Sequence, residues 1–261
     1  GSIIDGSAGD GVGNVEAKDL LLEAGRGALG AGGDEADVDV ILTGGVLTAR
    51  AEGSIFLTSL SVDMRVDTIY AEQDVTLRTE GGSIFDAYDT DNQNIAAVNL
   101  TLVSQGGIGT AVNALETNLT RDGVLTADAA GDIALTERAG DMNINRVFST
   151  TGDVYLVAAV SMLGRENDID ADIIGNGISM TARAGSLGAP NGEDINIDSA
   201  WSAAGALTSS SHGNSYIHET AGDLTLFTVG STLGTAFIDS SGAILNGNPG
   251  GGNVTSGKTR L

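Results

Sequence analysis

An all-β chain wound as a parallel β-helix, one elongated domain of about a dozen coils, is the fold this sequence predicts, and three observations predict it. A phrase of the form Gly-(Ser/Asp)-(Ile/Val)-x-Leu comes round roughly every 80 residues, and the stretch 43–57 matches the stretch 121–135. Between the phrases, short runs such as Val38-Asp39-Val40-Ile41-Leu42 and Asp153-Val154-Tyr155-Leu156-Val157 alternate apolar and polar residues. Period-two alternation turns one face of a strand inward and the other to solvent. Signals for the competing folds are thin. The helix-like patch at residues 16–27 has counterparts rich in Thr, Val and Ile, and the Asp-Gly and Asn-Gly pairs (Asp5-Gly6, Asp122-Gly123, Asn191-Gly192) recur at no fixed place, as a hairpin meander would require.

The solenoid divides into three modules of about 80 residues, at 1–80, 81–163 and 164–245. Gly30, Gly109 and Gly188 stand at matching places in them, with the same interval between the first and second as between the second and third. A second phrase, Ala139-Gly140-Asp141-Met142-Asn143-Ile144, returns as Ala221-Gly222-Asp223-Leu224-Thr225-Leu226 at a slightly longer interval, the drift that loop insertions produce. Gly, Asn, Asp and Ser punctuate the runs where turns need left-handed backbone or local side-chain bonding. After Gly247 the strand pattern is lost, so residues 246–261 read as a Gly-rich linker, a frayed end or the start of a further module. An array of three β-sandwiches, one per module, is disfavoured, since modules this short without Trp or disulfide anchors make a thin core.

Composition narrows the function classes. With 35 Asp and Glu against 12 Lys and Arg, the net charge is −23, which repels phosphate backbones and makes nucleic acid a poor partner. Cysteine is absent, excluding disulfides, thiolate zinc sites and cysteine nucleophiles. No apolar run is long enough for a membrane span, and the opening residues carry no signal-peptide pattern, so the chain reads as a mature protein or an excised fragment without membrane insertion.

The residues Leu100-Thr101-Leu102, Gly106-Gly107-Ile108-Gly109, Leu125-Thr126-Ala127, Gly131-Asp132-Ile133-Ala134-Leu135 and Gly152-Asp153-Val154-Tyr155-Leu156 resemble the repeat region of filamentous haemagglutinin-like bacterial exoproteins and giant adhesins. That resemblance implies a right-handed β-helix, a bacterial extracellular or cell-surface location, and a structural or adhesive rod rather than an enzyme. It also implies host or surface carbohydrate or protein as a binding partner. Open coil ends further predict end-to-end stacking with other copies or neighbouring segments of the same protein, up to filaments. Ala189-Pro190-Asn191-Gly192 has the wrong first residue for the family's secretion signature and reads as a turn.

No catalytic or cofactor-binding residue is predicted. The enzyme alternative, a carbohydrate-active β-helix hydrolase or lyase, needs paired carboxylates on one face. Asp168, Asp170 and Asp172 alternate with Ile169, Ala171 and Ile173, which reads as a solvated outward ladder over inward isoleucines. His212 and His218, six apart, are expected at the surface and too distant to share a metal. Gly11-Val12-Gly13, with no helix behind it, reads as a turn and not a phosphate loop. Trp201 is expected to cap or pack into the core. Calcium is the one ion with a candidate site: Asp89, Asp91 and Asn94 offer hard oxygens over a short loop that lacks the glycine and glutamate of an EF-hand.

Overall fold

The computed structural model describes residues 1–6, 12–32, 37–60, 62–165, 169–190 and 193–261. Among them every pairing between strands is parallel, and the chain forms a β-solenoid of about 11 turns with no helix. At ~4.8 Å per turn the rod is about 50 Å long. Each turn contributes two arcs of strand. An arc pairs with the arc one full turn onward, not with its sequence neighbour: Leu100–Ser104 lies between Val75–Thr79 and Val124–Ala129, while Ile133–Glu137 lies between Leu115–Leu119 and Val154–Ala158. The arcs therefore build two parallel stacks that face each other across one continuous aliphatic core. Leu224–Ser240 runs from one stack into the other, which joins all 24 strands into a single sheet.

Register is tight because a one-residue slip would turn every inward aliphatic outward. Leu100 sits opposite Val75 and Leu125, and Leu156 opposite Leu135 and Met180, all of them buried. Turn length varies, from short windings that set Val38 opposite Leu57 to a long one that sets Ile178 opposite Leu207. The variation has a simple source. Some arcs are plain strands; some are bent by one extra residue, as at Asp67, Asn145 and Phe227; others are interrupted by intervening chain, as between Ile84–Asp86 and Ile95–Ala97.

The order of arc types explains the sequence period. From Leu29 the arcs run interrupted, plain, plain, bent (Met64–Ala71), plain, interrupted, plain; from Ile108 the same seven return with Met142–Ser149 as the bent arc, and from Leu187 the series starts again with Leu224–Ser240. Seven arcs are three and a half turns. Each module therefore lands its phrases on the stack opposite to the one before: Leu29 and Leu187 belong to one stack and Ile108 to the other. Gly30, Gly109 and Gly188 each follow these residues with φ of +73°, +60° and +66°. A Cβ at Gly109 would lie 2.3 Å from the Ala134 carbonyl oxygen, so glycine is required twice over.

The recurrent phrase has a mechanical meaning. Its Ser or Asp side chain accepts the backbone N–H one turn along: Asp132 from Asp153 (2.9 Å), Asp153 from Gly177 (2.8 Å), Ser83 from Gly107 (2.9 Å). Asp141, Ser161, Ser186 and Asn214 continue one such column to the Thr235 N–H. The glycine before it permits close stacking, since a Cβ at Gly152 would come within 2.5 Å of the Asp132 nitrogen. Part of the acidic composition is thus structural, carboxylates serving as turn acceptors. Asp132→Ala should cost about 1 kcal/mol in urea denaturation, whereas Asp132→Asn, which keeps an acceptor oxygen, should lose clearly less.

Two expectations need correction. Residues 246–261 are neither linker nor frayed end throughout, because Val254–Arg260 is a strand paired with Leu224–Ser240, with Val229 opposite Val254 and, after a shift of register between Ser231 and Thr235, Phe237 opposite Arg260. The Asp168–Asp172 stretch is not an outward ladder. Asp168 lies outside the described residues, Ile169 is 85% exposed and Asp172 is buried, its carboxylate accepting the Asn196 N–H at 2.8 Å. The strand restarts at Ile173, so the apparent alternation spans an interruption. Asn191-Gly192 also lies outside the described residues.

Candidate functional site

The expected calcium residues sit in an interrupted arc. Residues 87–94 leave the wall after Ile84–Asp86 and rejoin it at Ile95–Ala97. Asp86 folds this loop by accepting the N–H groups of Tyr88 (3.2 Å) and Thr90 (3.1 Å) and the Asn94 side-chain amide (2.8 Å). Asn94 is buried and fully engaged: its amide nitrogen also donates to the Val66 and Asp67 carbonyls, and its oxygen accepts the Glu116 N–H at 2.9 Å. It is therefore a wall residue and not a free ligand. Asn14 and Asp172 hold the same post before Val15 and Ile173, accepting the N–H groups of Asp39 and Asn196. Asp89 and Asp91 stay exposed, with Asp89 at φ +51°, a left-handed conformation that Asp tolerates.

Beside this loop a second one, residues 109–114, is closed by the Thr110–Asn113 turn. Between them lies a cavity of about 210 Å³ lined by Asp89, Asp91, Asn113, Glu116, Thr136 and Tyr155, among others. Glu116, one winding beyond Asn94, is not among the site residues expected from the sequence. It is 5% exposed, and one of its carboxylate oxygens has no partner. Burial, then the charges of Asp86 and Asp91, push its carboxyl up to about 7 against the pull of its own N–H and of Arg138. As the side chains stand, no three His, Cys, Asp or Glu among the described residues surround a common ion position.

Two more buried acids occupy matching module positions. Glu137 and Glu219 end the arcs Ile133–Glu137 and Ser215–Glu219, where the first module has Ser59, and all three are fully buried. Glu137 accepts the Thr117 hydroxyl (2.8 Å) and the Leu119 and Ala139 N–H groups. Glu219 accepts the Ser199 N–H (3.0 Å) and hydroxyl (2.5 Å). Burial drives each carboxyl up to about 7 despite these donors. Nothing in the local sequence marks them as interior, since Glu at the end of an alternating run reads as solvated.

On the outer wall near the last turns, Tyr216 and Phe237 stack with ring centroids 4.6 Å apart and planes 5° from parallel. With Asp194, Asp239 and Arg260 they line a trough of about 400 Å³, and His218 meets Asp239 at 3.2 Å. The Asp194 carboxyl is raised, by burial first, with His218 opposing and Asp239 adding to the effect. His218 is thus engaged with Asp239 at the surface, and His212 is exposed. Trp201 does not enter the core: it is 49% exposed and packs edge-on against Phe148 at 5.5 Å, with Arg146 over the other ring.

Fold and wall together define a two-stack parallel β-solenoid of seven-arc modules. No protein-family model, curated protein or solved structure matches this chain.

Proposed function

We propose that the chain is a structural and adhesive rod segment of a large bacterial protein displayed at the cell surface or secreted. The observation that carries the reading is the odd module. Seven arcs set each pair of interrupted arcs, such as 84–97 with 108–119 and 162–174 with 187–198, on alternate sides of the rod. Successive pairs stand about 17 Å apart along the axis at ~4.8 Å per turn. Regular two-sided decoration of a rod packed with aliphatics along its length suits contact with surfaces and spacing of other parts. The resemblance to haemagglutinin-like exoproteins supports the same reading, with host or surface carbohydrate or protein as the contacted material. Copies stacking end to end through strand edges extend it to filaments. No helix of the described residues is long and apolar enough to cross a membrane.

A second reading, a carbohydrate-active enzyme, is favoured by the trough that Asp194 and Asp239 line beside stacked rings, with His218 against Asp239. Both are tested together. Electron microscopy of the purified chain should show rods about 50 Å long, singly or end to end, and polysaccharides incubated with it should release neither reducing ends nor unsaturated products. Robust turnover that Asp194→Asn abolishes would replace the structural reading with the enzymatic one.

A further inference from the structure

The geometry points to a calcium-class cation site between the loops 87–94 and 109–114, with Glu116 as its anchor and Asp89 and Asp91 as its closing ligands. Three observations converge. Glu116 is buried on the cavity wall with one carboxylate oxygen left unpartnered, a costly state for a carboxylate that among the described residues only Ser209 Oγ, a neutral hydroxyl, shares. Asp89 and Asp91 border the same cavity from an exposed loop, so their side chains can swing inward between staggered rotamers at little cost. The cavity also has a neutral polar side chain in its lining, the Asn113 amide of the 109–114 turn.

Hard divalent cations of calcium size take six to eight oxygens at about 2.3–2.6 Å and tolerate irregular shells completed by water. Three carboxylates and an amide oxygen from two adjacent turns, completed by water, make such a set. Magnesium, which demands a near-octahedral shell and dehydrates reluctantly, fits a loop-built cavity less well. The site differs from the one expected in the sequence. Asn94 is withdrawn into the wall, and its oxygen holds the Glu116 N–H, so that it positions the anchor and does not ligate. An ion here would clamp two interrupted arcs of the same stack, one turn apart, and order the loop that carries Tyr88 and Asp89.

Tyr155 on the cavity wall supplies the readout. Terbium should show tyrosine-sensitised emission that saturates at one ion per chain and is displaced by calcium, in physiological salt with magnesium in excess. Calcium should also raise the melting temperature. Glu116→Gln, which keeps the shape of the side chain, and Asp91→Asn on the exposed loop should each weaken terbium binding tenfold or more, while Asp223→Asn, an exposed acid in the last turns, should not. Absence of emission, wild-type affinity in Glu116→Gln, or an equal loss in Asp223→Asn, which marks diffuse attraction to an acidic surface, would each overturn the site. Far-UV circular dichroism of the metal-free variants confirms that they fold. Rod shape in the microscope is unaffected by any of these results, so the cation site and the scaffold reading fail separately.

Discussion

Stability of this chain should fall, not rise, as pH climbs from about 4.5 to about 7. Glu137 and Glu219 are both fully buried, and burial raises each carboxyl to about 7 from an ordinary value of 4.5. Between those values the folded chain holds protons that the unfolded chain has released, so each step up in pH favours unfolding. The stabilisation is fully present below about 4.5 and gone above about 7. A shift of this size corresponds to on the order of 3 kcal/mol per glutamate. Repulsion among the surface acids works in the same direction. Urea denaturation at a series of pH values checks the sign, and the Glu137→Gln, Glu219→Gln pair should reduce the slope, with Glu116, raised to about 7 by burial first, keeping part of it. A midpoint that climbs over that pH window would show that the hydrogen bonds from Thr117, Leu119 and Ser199 hold both groups as carboxylates.

Gly109→Ala should be among the most damaging single methyl additions in the rod. The residue has φ +60°, and the new Cβ would press within 2.3 Å of the Ala134 carbonyl oxygen and 2.9 Å of the Leu115 nitrogen, both backbone atoms. Left-handed strain alone costs an L-residue about 1–2 kcal/mol. Forcing two turns apart adds lost ladder bonds, since Gly109 donates to Ile84 and Ala134 to Ile108 across the same place. A total loss of about 3 kcal/mol or more is expected. Gly140→Ala is the control: φ is +79°, but nothing lies within 4 Å of the added Cβ, so the loss should stay near the conformational cost of ~1 kcal/mol. Denaturant midpoints of the two variants separate strain from collision.

Much of the wall was legible in the sequence. Alternation identified the strands Val38–Leu42 and Val154–Ala158, and the matched glycines identified turns that do adopt positive φ. The misreadings share one cause, that alternation is a local signal. Asp172 fits the period of its neighbours yet stands just before a restarted strand, where it serves as a buried acceptor of a backbone N–H. Val254–Arg260 is polar and mostly exposed, and becomes a strand because Leu224–Ser240 offers a backbone edge to pair with. Asn94, expected among the ligands, is held inside by the previous turn, and Glu116 lines the cavity from the next one.

Residue order by itself determined the class of architecture: a parallel coil of short strands, its recurring module and its glycine turns, because strands and turns are written in close neighbours along the chain and the module in their repetition. Which side of the rod each module faces, and which acids lie inside it, were decided in three dimensions. Seven arcs at two per turn leave every module half a turn out of phase with the last, and the number of arcs per turn is set by pairing between residues a whole winding apart, such as Val38 with Leu57 or Ile178 with Leu207. The same stacking seals Glu137 and Glu219 under the next winding, where loss of water alters their acidity.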